Sequence, residues 1–140
     1  MAYEVKKVAV IFLIKKDGKF LFVKRGHTGK CDGYYMLPSG HVDEGESVFA
    51  ACARELKEEL DIVVKPQDMI FRMTEPTKTH EHFFFEVMHY EGTIKNNEPQ
   101  KHDEVVFLSI DNDKIHPVTA YGIKEILNGK SFIEDMQVDF

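Results

Sequence analysis

The alternation of apolar and polar positions divides the chain into short segments. Residues 8–14 form an apolar, partly β-branched run set among lysines, which predicts a buried strand. Lys16-Asp17-Gly18-Lys19 follows; Asp-Gly predicts a tight hairpin, with residues 20–23 as the return strand. Residues 25–33 lack periodicity and read as a loop. Residues 34–37 read as a short strand, stopped by Pro38-Ser39-Gly40, and a polar loop runs on to Gly45. From Ser47 the period becomes helical: Phe49, Cys52, Ala53, Leu56 and Leu60 recur at three- and four-residue spacing as one apolar stripe. Ser47 supplies an N-cap. Asp61 stands at the stop, where a left-handed residue, usually glycine, commonly ends a helix. Residues 62–64 and 69–73 are expected as strands separated by Pro66, and residues 82–90 as an aromatic-rich strand. After the polar stretch 91–104, residues 105–109 read as a strand, and residues 120–127 as a short helix ended by Asn128-Gly129. Strands, helix, strands, helix favours an α/β fold with a mixed sheet over a strictly alternating doubly wound one.

The 140 residues suit one domain, taken as 1–140. Hydrophobic residues at 43% and charged residues at 30% exclude a disordered or collagen-like chain. A formal net charge of −6 argues against a protein that coats a nucleic-acid polymer. It leaves room for one small phosphorylated molecule, since a local cation can hold a small anion against the overall field. Cys31 and Cys52 lack paired metal-site spacing and read as free thiols. No run approaches the ~20 apolar residues that span a bilayer, and no signal-peptide pattern follows the first residues. The expectation is a soluble cytoplasmic protein with no membrane partner, either monomer or homodimer.

The helix carries the chemistry. With Glu55 as origin, Glu59 lies about 40° to one side and Glu58 about 60° to the other, so three carboxylates share an arc of roughly 100°. The apolar stripe centres roughly 115° away, which leaves the acids at the edge of the core. Asp43, Glu44 and Glu46 add to the local density. Mg²⁺ prefers carboxylate oxygens and shares its shell with substrate phosphates, so such a cluster can act as a phosphate site through the metal. The alternative is a solvated acidic face balanced by Arg54 and Lys57.

Residues 40–62 resemble the signature of the Nudix hydrolase family. Gly40 opens the pattern and Glu46 follows after five residues. Arg54-Glu55-Leu56-Lys57-Glu58-Glu59 follows after seven more, and Ile62 closes it. Asp61 departs, standing where the family has glycine. Leu37-Pro38-Ser39-Gly40-His41 resembles the strand exit before that signature. The resemblance implies a Nudix-type α/β/α sandwich and hydrolysis of a diphosphate linkage. It makes Glu55, Glu58 and Glu59 the ligands of Mg²⁺, with Mn²⁺ as a substitute, and adds a backbone carbonyl near Ser39 and Gly40. Arg54 would orient the carboxylates through a salt bridge involving Glu46. Glu55 or Glu58 would act as general base. Glu104 resembles a downstream glutamate that some branches use as ligand or base; its alternative is an exposed surface glutamate.

Residues 98–104 resemble the MutT-like branch, which implies a nucleoside or deoxynucleoside triphosphate cleaved to monophosphate and pyrophosphate. Arg25 sits where that branch places a phosphate-contacting arginine, with Lys24 and Lys30 as weaker candidates. Tyr34, Tyr35, Met36 and Ser39 are candidates for substrate binding, the tyrosines because they offer a stacking face and a hydroxyl. Phe83, Phe84 and Phe85 alternate across the sheet, so one set is core; Phe84 with Met88, or Phe83 with Phe85, is a candidate pocket floor. His80 and His82 read as a surface pair. Competing readings are a nucleotide sugar, ADP-ribose or dinucleotide substrate, a non-catalytic nucleotide-binding module, and an isoprenyl diphosphate isomerase on the same fold.

Overall fold

The computed structural model describes residues 5–134. Its strands are β1 (Lys7–Leu13), β2 (Lys15–Lys16), β3 (Lys19–Arg25), β4 (Tyr35–Met36), β5 (Ser39–His41), β6 (Met69–Pro76), β7 (His80–Val87) and β8 (His102–Leu108). Its helices are α1 (Val48–Leu60) and α2 (Pro117–Leu127). One sheet has the order β5-β1-β7-β6 and is mixed, because β1 runs parallel to β7 and antiparallel to β5. In the other, β3 pairs antiparallel with β2, β4 and β8. Side chains alternate across β1. Val10, Phe12 and Ile14 pack with Cys52, Leu56 and Leu60 of α1. Ile11 and Leu13 pack with Phe84 and with Ile123 of α2. Helices thus cover opposite sides of a β layer, the expected α/β sandwich.

The hairpin forms at Asp17-Gly18, both with positive φ (52° and 76°), as a type I′ turn requires. Several boundaries differ from expectation. Residues 39–41, expected as loop, form β5, because β1 supplies the pairing that their composition does not advertise. Residues 62–64 make only an isolated bridge, Val63 to Glu91. The Met69 strand continues to Pro76, β7 starts two residues early at His80, and β8 starts at His102. Helix α2 starts at Pro117, since proline at the first turn sacrifices no internal hydrogen bond. In α1 the buried residues are Ala51, Cys52, Leu56, Glu59 and Leu60. The helix is therefore rolled toward its acidic side; Glu59 goes into the interior and Phe49 is left exposed, its ring against Phe85.

Candidate active site

The site is assembled around α1. Ser47 caps its start by accepting from the Ala50 amide. At its end Asp61 adopts φ 58°, ψ 37°, the left-handed geometry that closes a helix. The Asp61 carboxylate is held by Lys57 Nζ at 2.7 Å and Lys95 Nζ at 3.5 Å; the Lys57 hydrogen bond and charge keep it below the usual aspartate range. The departure from glycine is thus accommodated without loss of the helix stop.

Arg54 organises the acids. Its Nε and Nη2 donate to the two oxygens of Glu46 at 2.8 and 2.9 Å, a bidentate pair. Its Nη1 donates to Glu55 Oε1 at 2.8 Å and Glu58 Oε2 at 3.2 Å, and Nη2 also donates to the His41 carbonyl at 2.9 Å. The Arg54 hydrogen bonds hold the Glu46 carboxyl down to about 2. Gly40 lies against Glu55 so closely that a Cβ there would collide with the Glu55 carboxyl. That steric fact explains the glycine; its backbone φ does not.

Glu55 and Glu59 respond in the opposite sense. Burial pushes Glu55 up, against the pull of Arg54. Glu59 is 7% exposed and is pushed well above the usual carboxylate range, first by burial and then by the charges of Glu55 and Glu98. Its Oε2 is buried without a hydrogen-bond partner. Glu98 arrives from the loop before β8. Asn97 N–H and Lys95 N–H donate to the Glu59 and Leu60 carbonyls, and Asn97 Nδ2 donates to the Glu58 carbonyl. Among the described residues, no group of three or more His, Cys, Asp or Glu side chains forms a ready-made metal cage; Glu55 and Glu58 are turned onto Arg54 instead.

Arg25, Met36, Ser39, Gly40, Glu55 and Glu59 line one cavity of about 890 Å³. Arg54 and Glu58 are not part of this lining; Arg54 Nη1 ties Glu58 to the lining residue Glu55 from behind it. Three further expected residues are elsewhere. Tyr35 is buried in the core on the α2 side and donates from its hydroxyl to Glu104 Oε2 at 2.7 Å. Glu104 lies opposite Lys24 across β3 and β8, away from the cavity wall. Tyr34 is exposed, edge-on to His116. Lys30 lines the cavity, whereas Lys24 sits over the Tyr35 ring. Phe84 lines it too; Phe83 and Phe85 face the α1-side core and Met88 is exposed.

The histidines correct the surface-pair reading. His82 is buried, stacks on His80 at 5.5 Å, and approaches buried Glu75 with Nδ1 at 3.6 Å from Oε1. Both histidines line the cavity, with His41 Nε2 3.2 Å from His80 Nε2. Their two-residue spacing was the available signal, since it places them on one strand face. Glu98, Lys101 and His102 were missed as individuals; no periodicity marks a residue that reaches a site through a loop. Cys31 and Cys52 are both free.

The family model described as NUDIX domain matches residues 5–123. The chain belongs to the Nudix family. Over 71 residues it is 37% identical to a protein named ADP-ribose pyrophosphatase from Methanocaldococcus jannaschii, covering 51% of this chain and 41% of that protein. Over 63 residues it is 38% identical to phosphatase NudJ of Escherichia coli K12, covering 45% of this chain and 40% of that one. The match thus spans about two-fifths of each relative's length. The Nudix fold is also seen in the MutT NUDIX hydrolase from Burkholderia pseudomallei, with TM-score 0.76 and 22% identity over 86% of this chain and 98% of that one. The MutT protein from Methanosarcina mazei Go1 gives TM-score 0.72 and 20% identity over 91% and 97%. No helix among the described residues is long and apolar enough to cross a membrane.

Proposed function

We propose that this Nudix protein hydrolyses a phosphoanhydride bond of a nucleoside or deoxynucleoside triphosphate, releasing the monophosphate and pyrophosphate. The observation that carries the reading is the pairing of opposite charges in one cavity: Glu55 and Glu59 on its wall, and Arg25, Lys30 and Lys101 on the same lining. The buried, partnerless Glu59 oxygen beside the Glu55 and Glu98 charges fits a hard divalent cation, because an all-oxygen donor set suits Mg²⁺ and, in its place, Mn²⁺. Glu55, Glu58, Glu59 and the Gly40 carbonyl would hold it, with Glu98 the acid that the loop adds. When bound, such an ion polarises phosphoryl oxygens and offsets charge developing in the transition state.

The chain's own groups supply the rest. Arg25 and Lys101 bind phosphoryl oxygens and hold the polyphosphate along the cavity. Arg54 keeps Glu55 and Glu58 oriented. Glu55, its side chain largely buried and only Oε1 engaged by Arg54, accepts the proton of the attacking water. The new bond forms between that oxygen and phosphorus, and the bridging P–O bond breaks to release pyrophosphate. A second reading, cleavage of ADP-ribose, is favoured by the name of the 37% identical relative. A product panel with Mg²⁺ tests both. Pyrophosphate from triphosphates is the expected result; AMP and ribose phosphate from ADP-ribose alone would select the second reading. No release from any nucleotide, with either Mg²⁺ or Mn²⁺, would refute both.

A further inference from the structure

His102 opens β8 opposite Arg25, at a point where the register between β3 and β8 shifts. A bulge of this kind re-aims side chains and is common beside active sites. The His102 main chain is fixed on both sides: its N–H donates to the Glu98 carbonyl at 3.1 Å, and its carbonyl accepts from Asn96 Nδ2 at 2.7 Å. The side chain is 5% exposed and lines the cavity. Arg25, Lys101 and Glu98 are the charges that bear on this ring, and the same three bear on the Glu59 carboxyl. The imidazole therefore stands at the acid end of the cavity, among its cations.

The two ring nitrogens differ. Nδ1 is buried and has no hydrogen-bond partner, which leaves Nε2 as the nitrogen that meets the cavity. A buried N–H without an acceptor is tolerated less well than a buried lone pair without a donor. The proton of the neutral ring therefore belongs on Nε2, pointing into the cavity. An imidazolium would donate from Nε2 as well, so donation does not depend on titration.

We propose that His102 is a substrate-binding residue whose Nε2–H donates to a phosphoryl oxygen of the polyphosphate. The inference rests on the phosphoanhydride reading of the cavity and adds a neutral donor to Arg25 and Lys101. A histidine that served only the strand would gain nothing from an orphaned Nδ1, and an apolar residue would fill the same place at no loss.

The test is calorimetric titration of the full chain with inorganic tripolyphosphate and Mg²⁺, alongside thermal melts. His102→Leu is expected to weaken binding about 10-fold or more, as loss of a hydrogen bond to a charged group does, while Tm is unchanged or raised. His102→Gln, which can put an amide donor at the Nε2 position, is expected to bind within about 3-fold of the parent, a difference under ~1 kcal/mol. Parent-like binding by His102→Leu would overturn the inference and leave the polyphosphate reading standing. So would weakened binding that His102→Gln fails to restore together with a lowered Tm, the mark of a structural role. Failure of the unmodified protein to bind the probe would overturn both.

Discussion

Glu59 shows what one residue contributes when its surroundings work against it. Its place on the helix put it at the edge of the core, yet it is buried with an unpartnered oxygen beside the charges of other carboxylates. An unpaired buried polar group of this kind destabilises the fold. Glu59→Gln is expected to raise the Tm of metal-free protein at pH 7 and to abolish the Tm increase that Mg²⁺ gives the parent. The same change is expected to lower kcat at least ~10²-fold, through loss of a transition-state interaction. Melting curves with and without Mg²⁺, and steady-state kinetics, check the two halves. A variant that still gained Tm from Mg²⁺ would remove Glu59 from the ligand set.

At the scale of the element, α1 was legible in the sequence from Ser47 to Asp61, because its cap, apolar stripe and stop are all local signals. Its roll about its own axis was not, since the depth to which Glu59 sinks depends on which strands it meets. Strand β5 was also hidden: Ser39-Gly40-His41 has no strand propensity, and its glycine is dictated by the Glu55 carboxyl on another element. Asp61 offers a direct test of the helix stop. Asp61→Gly suits the left-handed backbone but forfeits Lys57 and Lys95, so Tm should stay within about 2 °C of the parent. Asp61→Val puts a β-branched side chain at φ 58° and should lower Tm by about 5 °C. Equal melting of all three proteins would show that the left-handed stop is not the constraint at this position.

For the whole molecule, the signature over residues 40–62 and the sandwich were readable, whereas the partners brought by distant segments were not. Glu104 resembles the family's downstream glutamate in sequence but accepts from Tyr35; Glu98, six residues earlier, brings its charge to the acids because residues 95–97 dock on the end of α1. The resulting charge pattern gives stability two opposing pH limbs. Glu46, depressed to about 2, contributes stability that is present above its reference value of 4.5 and is lost as pH falls toward 2. Glu55 and Glu59, raised above 4.5, contribute stability that is present below that value and lost as pH rises through their folded values. Burial lowers His41, His102 and His116, which pull the other way between pH 5 and 7, so the carboxylate limb is read by difference. Metal-free parent is expected to lose Tm relative to Glu59→Gln as pH rises from 5 to 7, and to melt lower below about pH 4. Saturating Mg²⁺ should flatten the upper limb. A difference in melting temperature between parent and Glu59→Gln that stays constant from pH 5 to 7 without metal would contradict this assignment.

The docking of residues 95–97 on the last turn of α1 also bears on how the chain reaches this state. Asn97 donates to a carbonyl 39 residues earlier, and β6 and β7 lie between the two. Closing so long a loop costs entropy that contacts elsewhere must offset first. The acid cluster is thus a late arrival in folding: helix and hairpin turns can form from neighbours alone, but Asn97 reaches the end of α1, and the Glu98 charge bears on Glu59, only after the intervening strands have found their places.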